Sequence, residues 1–321
     1  MKNKVLLFLS LILLCGCQKN YAYDYAIFQN IDNKTVVNMY NRNLKLINKK
    51  QINKNIALPY SDTIINKDKL YDIHYQSDSN QLLEVNLDNF STKTISKLNE
   101  HPSVVSRFNN ELIYSSNYVE NNYATIINLV TKKQYTKEMN DLQIIKCVNN
   151  TDYSFILDNK NNYHLAINNY SNNQIKFLKK LEKEISPNNN PIVDQEKLYY
   201  IDIDNDLIII DLKTFNSTKI KLNLDSYGKM FIYDNKLHIL NADNTNLSKV
   251  KPIIDIIDLK TFKIKSFNIK EAINDYKLEN NIMYALSQKK LMKINLDTLK
   301  ITKEIELEQN GYYGKIIKKM H

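Results

Sequence analysis

Side chains that commonly do chemistry are few and widely spaced in this sequence. The five histidines show no His-x-His or HExxH spacing, so we predict no metal site. The run from Asp202 to Asp206 has calcium-like spacing but lacks the glycine and the distal glutamate of an EF-hand loop, and an Asp-rich hairpin turn explains it more simply. Four glycines could hardly build a Gly-rich phosphate loop or a Gly-x-Ser-x-Gly elbow. We therefore expect no cofactor and assign no catalytic residue.

The one covalent modification that the sequence indicates is lipid attachment near the N-terminus. Lys2 and Lys4 precede a mostly apolar stretch, residues 5–14, which spans about 15 Å as a helix and is too short to cross a bilayer. The stretch ends in Leu14-Cys15-Gly16-Cys17, which resembles the lipobox of bacterial lipoproteins. This resemblance implies cleavage before Cys17 and attachment of a diacylglycerol to its thiol. The alternative is an ordinary cleaved secretion signal.

The lipobox sets the expected location and domain boundaries. We predict a signal peptide over residues 1–16, a lipidated cysteine and tether over 17–22, and one domain over 23–321. The lipid would hold the protein at the cell membrane on the extracytoplasmic side. After cleavage Cys147 is the one remaining thiol, and its apolar neighbours predict a buried, unreactive side chain without a disulfide.

Composition indicates a folded protein with a diffusely basic surface. The chain has 321 residues, of which 43% are hydrophobic and 25% charged, and its formal net charge is +9. Of the 44 basic residues only Arg42 and Arg107 are arginines, a bias that an AT-rich genome explains. Because acidic residues alternate with the lysines, we expect no nucleic-acid partner; anionic envelope polymers or lipid head groups fit better.

Seven copies of one unit fill the chain after the leader. The clearest copy has an apolar run from Leu198 to Ile201, a second run from Leu207 to Ile210, and then Asp-Leu-Lys-Thr-Phe. Each copy reads as four short β-strands separated by Asn or Asp turns, with a repeat of 39 to 45 residues. This period predicts a seven-bladed β-propeller with four-stranded blades, an all-β fold. The first hydrophobic positions of the copies are Phe28, Leu70, Leu112, Phe155, Leu198, Leu237 and Ile282.

The two ends of the chain predict how the ring closes. The first copy lacks an innermost strand, and the C-terminal segment Tyr313-Gly314-Lys315 matches Tyr227-Gly228-Lys229, the start of the innermost strand of the sixth copy. We expect the C-terminal strand to complete blade 1, which also removes two exposed sheet edges.

The repeat pattern resembles that of YVTN-type and quinoprotein-like bacterial propellers, in its apolar triplet, its Asp-Leu-Lys-Thr turn and a following strand that ends in lysine. The resemblance covers the whole chain after the leader. It implies a propeller fold and no functional residue. The absence of Trp argues against the quinoprotein dehydrogenases, whose blades resemble Trp-containing repeats.

The loops predict which face of the propeller binds. Turns between strands 1 and 2 and between strands 3 and 4 are short and alike, whereas the loops of the opposite face vary in length and carry all five prolines. We predict that the irregular face binds, with the starts of the innermost strands as its rim. The candidate rim residues are Tyr60, Asp62, His101, Ser103, Asp141, Gln143, Asp225, Tyr227, Tyr312 and Tyr313. A solvated rim without a ligand is the alternative.

These observations favour a monomeric, membrane-anchored binding or scaffold module that presents one face to an envelope protein or glycan. A propeller hydrolase or lyase acting on an extracytoplasmic polymer is the alternative. A third possibility is a sensor of a small ligand for a transport system. A group of titratable side chains with shifted pKa values would favour the enzyme, and a broad apolar or Tyr-lined patch would favour the binding module.

Overall fold

A computed structural model describes most of the chain after residue 19. It covers residues 20–56, 64–74, 80–98, 102–108, 111–117, 122–139, 142–148, 151–169, 174–186, 189–222, 228–240, 252–269, 271–308 and 310–319, with only the backbone of 103–108, 117 and 169. The regular structure of these residues consists of β-strands. In this part of the chain there is no helix of the length and apolarity needed to span a membrane.

The strands follow one another along the whole described chain. In order they are β1 (Tyr25–Ile31), β2 (Lys34–Tyr40), β3 (Leu46–Ile52), β4 (Ile64–Asn66), β5 (Lys69–His74), β6 (Asn80–Asn86), β7 (Thr92–Leu98), β8 (Pro102–Phe108), β9 (Glu111–Asn117), β10 (Asn122–Asn128), β11 (Gln134–Glu138), β12 (Gln143–Cys147), β13 (Tyr153–Leu157), β14 (Tyr163–Asn169), β15 (Gln174–Lys180), β16 (Ile192–Asp194), β17 (Lys197–Ile201), β18 (Asp206–Asp211), β19 (Ser217–Lys221), β20 (Met230–Tyr233), β21 (Lys236–Leu240), β22 (Ile253–Asp258), β23 (Ile264–Asn268), β24 (Ile273–Glu279), β25 (Ile282–Ser287), β26 (Lys290–Asn295), β27 (Lys300–Glu306) and β28 (Tyr312–Lys318).

These strands form seven antiparallel sheets of four strands each, which are the blades of a propeller. Blade 1 has the order β28-β1-β2-β3, and blades 2 to 7 each use four consecutive strands, from β4-β5-β6-β7 to β24-β25-β26-β27. The predicted seven-bladed β-propeller is therefore confirmed.

The burial of each strand follows from its place in the blade. In β18 the side chains from Asp206 to Ile210 are all buried, whereas the outer strand β19 is mostly exposed. Both faces of a blade pack against neighbouring blades, so the middle strands need continuous apolar runs rather than an alternating pattern. The lysines of the outer strands protect the exposed sheet edge from pairing with another chain.

The core consists of seven apolar clusters among the described residues, one at each interface between neighbouring blades. Between blades 1 and 2, Phe28 and Met39 pack with Leu70 and Leu83. Corresponding clusters lie between blades 2 and 3, 3 and 4, 4 and 5, 5 and 6, and 6 and 7. The seventh joins blade 7 to blade 1. No blade buries both faces by itself, so the ring is the unit that folds.

The C-terminal strand closes the ring as the sequence predicts. β28 pairs antiparallel with β1, with Ile316 opposite Ile27, and the register shifts at Gly314, the extra residue of a β-bulge. Gly311, which leads into β28, lies so close to β1 that an added Cβ would be 2.6 Å from the carbonyl oxygen of Asn30. Glycine at this position permits the close approach of the two backbones.

Turns between strands 3 and 4 on one face are alike because the same kind of side chain builds them. In the turn between β18 and β19, Oδ1 of Asp211 accepts the backbone N–H groups of Lys213 (3.0 Å) and Thr214 (2.8 Å). Phe215 then takes a left-handed conformation with φ 58°. The turn between β22 and β23 repeats this arrangement with Asp258. We call this the short-turn face and the opposite one the irregular face.

Candidate functional site

The predicted rim lies largely outside the described residues. This holds for Tyr60, Asp62, His101, Asp141, Asp225 and Tyr227, and also for the lipidation residue Cys17. Ser103 lies in β8, where only the backbone is described.

Three rim residues can be located with their side chains. Gln143 begins β12 in blade 4 and is partly exposed, as is Tyr312 at the start of β28 in blade 1. Tyr313 is buried between blades 7 and 1, and its hydroxyl donates a hydrogen bond to the carbonyl oxygen of Glu308 at 2.8 Å. Gln143 and the two tyrosines therefore lie on opposite sides of the ring, and Tyr313 presents no surface to a ligand.

The sequence did not indicate the charged cavity that the structure shows in the central channel. The cavity has a volume of about 240 Å³ and lies among the innermost strands and the segments that lead into them. Its lining residues are Ile65, Asn190, Lys229, Asp275, Tyr276, Lys277, Leu278, Lys315, Ile316 and Ile317.

Three lysines and one aspartate give the cavity its charge. Asp275, 5% exposed, forms an ion pair with Lys229. Lys315 is 8% exposed, and Lys277 is partly buried. Asp275 is the one carboxylate among the described lining residues, so the cavity carries an excess of positive charge.

Mutual repulsion and burial shift the pKa values of the paired groups. Burial lowers the pKa of Lys229 most, the ammonium groups of Lys315 and Lys277 also lower it, and Asp275 opposes them, so that the pKa is about 8. Burial would raise the pKa of Asp275, but the three lysines outweigh that effect and hold it at about 2. Asp275 is therefore ionised at neutral pH, and Lys229 releases its proton at a pH just above neutral.

Asp275 also fixes the strands around the cavity. Its Oδ2 accepts the backbone N–H of Ile316 at 2.9 Å, so one carboxylate in blade 7 contacts Lys229 of blade 6 and the inner strand of blade 1. Next to it, the Tyr276 hydroxyl donates to the carbonyl oxygen of Met230 at 3.0 Å. These contacts hold Lys229 and connect the inner strands of blades 6, 7 and 1.

A sequence signal for part of this cavity exists. Lys229 and Lys315 each follow a glycine at the matching position of an innermost strand, in Gly228-Lys229 and Gly314-Lys315. The match predicts the strands but not the direction of the side chains. Asp275 and Lys277 stand outside this pattern, because blade 7 has no glycine at the matching place.

The N-terminal segment is fixed to the short-turn face. The backbone N–H of Tyr21 donates to the carbonyl oxygen of Asp88 at 2.7 Å, and the Tyr23 hydroxyl donates to that of Leu87 at 2.6 Å. Leu87 and Asp88 form the turn between β6 and β7. Lys319, just after β28, forms an ion pair with Asp88 at 2.8 Å. The chain therefore enters and leaves the propeller on the same face.

The acidic run of blade 5 is a hairpin turn, as the sequence predicts. Oδ1 of Asp202 accepts the backbone N–H groups of Asp204 and Asp206, each at 3.0 Å. Asp204 pairs with Lys183, and Asp206 pairs with Lys219 at 2.5 Å. Within the described ranges no group of three or more His, Cys, Asp or Glu side chains could hold a metal ion.

His74 and His238, which lie in the second strands of blades 2 and 6, are both buried. His238 is buried and stacks on Phe231 with ring centroids 4.8 Å apart, and burial lowers its pKa to about 4. Nδ1 of His74 lies 2.8 Å from the carbonyl oxygen of Asn55. Cys147 is buried, as predicted, and its Sγ accepts a hydrogen bond from the Ser154 hydroxyl at 3.6 Å.

Comparison with known proteins establishes the class of protein. No protein-family model and no characterised sequence matches this chain. The computationally designed Ika8 protein aligns with a TM-score of 0.55 over 91% of each chain at 10% identity. The dihydro-heme d1 dehydrogenase NirN, solved in complex with DHE, aligns with a TM-score of 0.60 at 11% identity, over 90% of this chain and 65% of its own. Such low identities show a shared β-propeller fold and nothing further.

Proposed function

We propose that this chain is a lipoprotein, anchored through Cys17 outside the cytoplasmic membrane, whose propeller is a binding module for a protein or glycan of the cell envelope. The lipobox supports the anchor, and the repeat pattern supports an architectural relation to YVTN-type propellers. The observation that carries the proposal is the docking of residues 21–23 on the short-turn face.

This docking supports one orientation of the propeller on the membrane. Only Gln18 and Lys19 lie between Cys17 and Asn20, where the described chain begins, so the Cα atoms of Cys17 and Asn20 can be at most about 11 Å apart. The short-turn face would then lie next to the lipid surface. A seven-residue strand is about 23 Å long, so the irregular face lies farther out by roughly that distance and is open to a partner.

The anchor is tested by the variant Cys17→Ala. Without the thiol no lipid can be attached, so we expect the protein to move from the membrane fraction to the medium or the soluble pool, as seen by immunoblotting of fractions. Cys147→Ala is the matched control, since that thiol is buried inside the propeller, and the variant should remain with the membrane. A Cys17→Ala protein that stays in the membrane fraction would contradict the lipid anchor.

The orientation is tested by fluorophores on the two faces. In full-length protein on vesicles, a label at Lys260→Cys, in the turn between β22 and β23, should be quenched by headgroup quenchers. A label at Lys160→Cys, in the hairpin between β13 and β14, should not. A twelve-residue Gly-Ser insertion after Gln18 should abolish the difference. Equal or reversed quenching in the uninserted protein would disprove the orientation.

The binding role is tested by recovery of a partner from the protein's own membranes. Lys160→Glu on the irregular face should reduce recovery of the partner, and Lys260→Glu on the short-turn face should leave it unchanged. If only Lys260→Glu reduced recovery of the partner, the partner would bind the short-turn face and the proposal would be contradicted.

A propeller hydrolase or lyase is the second candidate, and one observation favours it. Lys229, with a pKa of about 8, is a titratable group in the range of a general base and lies beside Asp275. If the protein is an enzyme, Lys229→Met should abolish its turnover of an envelope polymer. In a binding module it would leave recovery of the partner intact.

A further inference from the structure

The central cavity holds more positive charge than its own carboxylate can neutralise. Lys229 is paired with Asp275, which also accepts the N–H of Ile316. Among the described residues, no carboxylate forms an ion pair with Lys277 or with Lys315. Two ammonium groups in the cavity therefore lack a counterion from this part of the chain.

An ammonium group in this position is costly unless an anion accompanies it. Lys315 is only 8% exposed, and burying a charge without a partner is unfavourable. The pKa of Lys229 is lowered first by burial and then by repulsion from Lys315 and Lys277. A ligand that brings negative charge would relieve both effects.

Size and charge narrow the class of ligand. The cavity, at about 240 Å³, is smaller than the roughly 300 Å³ at which pockets for drug-sized ligands begin. Two uncompensated ammonium groups match a compact group with two negative charges. Lysine binds phosphate as a point charge and presents three donors that can rotate towards its oxygens.

We propose that Lys229, Lys277 and Lys315 form a binding site for a phosphoryl group in the central channel. Lys277 and Lys315 contact the phosphoryl oxygens, and Lys229 contributes once its contact with Asp275 weakens. Asp275 competes with the ligand for Lys229 and holds that side chain when the site is empty. This site is independent of the lipid anchor and of the partner of the irregular face.

The test is calorimetric titration of the full-length protein in detergent with inorganic phosphate, at pH 7 and constant ionic strength. Wild-type protein should bind one phosphate. Lys277→Gln and Lys315→Gln should each weaken binding at least tenfold, while Asp275→Asn should tighten it because the competing carboxylate is gone. Lys265→Gln, an exposed lysine of β23, is the matched control and should bind as wild type does.

A second readout uses the pKa of Lys229. Phosphate affinity should fall as the pH rises through about 8, where Lys229 loses its proton, and Lys229→Gln should remove that decline. Circular dichroism melts show which variants remain folded. If Asp275→Asn does not fold, Lys277→Gln and Lys315→Gln are sufficient to test whether the lysines bind phosphate. The proposal is overturned if wild-type protein binds no phosphate, or if both glutamine variants bind it with unchanged affinity.

The source of the phosphoryl group is distinguished by two further titrations. A small-anion site should bind glycerol phosphate about as well as inorganic phosphate. A site for a phosphate-bearing envelope polymer should bind a poly(glycerol phosphate) chain at least tenfold more tightly than either. Each result supports phosphoryl recognition, and binding of none of the three probes would exclude it.

Discussion

The interface between blades 7 and 1 differs from the interface between blades 5 and 6 in its polar contacts rather than in its apolar core. Their apolar clusters are similar, with ten and nine buried residues in the described part of the chain. The interface between blades 7 and 1 adds a hydrogen bond from the Tyr25 hydroxyl to Glu279 at 2.6 Å and one from the Gln288 side chain to the carbonyl oxygen of Gly311 at 2.8 Å. Asp275 adds a third contact, to Ile316.

The difference reflects how each interface is assembled. Blades 5 and 6 are consecutive, so a short connection brings their apolar faces together. Closing the ring instead pairs Tyr25 with Lys318, and bringing such distant residues together costs about 5 kcal/mol in loop-closure entropy. Apolar packing fixes neither the register nor the partner of the last strand, whereas directed hydrogen bonds do. Polar contacts therefore support the meeting of the chain ends, although they are not confined to it, since Lys229–Asp275 and Tyr276–Met230 also join the consecutive blades 6 and 7.

Deletion of residues 311–321 should have the largest effect, because it removes β28. The side chains of Tyr313, Ile316 and Ile317 are buried, and their loss would expose the inner edge of β1 and part of two apolar clusters. We expect no cooperative melting at 37 °C or above, measured by circular dichroism. A chain that ends at Lys319 is the control and should melt as the full chain does. A truncated protein that keeps its melting temperature would show that β28 does not close the ring.

Ile316→Ala and Ile239→Ala compare the apolar cores of the two interfaces directly. Both side chains are completely buried, Ile316 between blades 7 and 1 and Ile239 between blades 5 and 6. Each substitution should lower the free energy of unfolding by about 4 kcal/mol in denaturant titrations. A difference above about 2 kcal/mol would mean that the apolar cores are not equivalent.

Asp275→Asn tests the polar part of the closure. Removing one partner of a buried ion pair leaves Lys229 beside two other lysines, and we expect a loss of about 3 kcal/mol at pH 7. Because the pKa of Asp275 falls from 3.8 to about 2 on folding, its contribution is complete above pH 4 and disappears as the pH falls to 2. The loss of unfolding free energy caused by Asp275→Asn should therefore shrink as the pH falls from 4 to 2. Asp204→Asn, which breaks an exposed ion pair with Lys183, should change stability by less than 1 kcal/mol.

His238→Phe should have the smallest effect, visible only in mild acid. The pKa of His238 falls from 6.5 in the unfolded chain to about 4 in the folded one, so stability is complete above pH 6.5 and falls as the pH approaches 4. At pH 5 the wild type should lose about 2 kcal/mol that the variant retains. Mild acid should therefore weaken blade 6 before the closure between blades 7 and 1. Equal acid sensitivity of the two proteins in urea titrations would contradict this.

The sequence predicted features that repeat within one blade. Strand positions, the short turns built on Asp211 and Asp258, and the buried middle strands all follow from local patterns of apolar residues and turn formers. The number of copies and the matching C-terminal segment then predicted the closed ring. The positions of the rim residues could not be predicted in the same way, because loops of irregular length carry no repeating pattern. Tyr313, for example, belongs to the core between two blades rather than to a surface.

The sequence alone determined the number of blades and the strand that closes them, because a blade is a local unit and its residues recur at a fixed spacing. Only the tertiary structure decided that Lys229, Lys277 and Lys315 meet around Asp275. These side chains come from three blades and approach one another because the ring brings blades 6, 7 and 1 together around one axis. Periodicity along the chain predicts each strand, whereas the closure of the ring sets which charges share the channel.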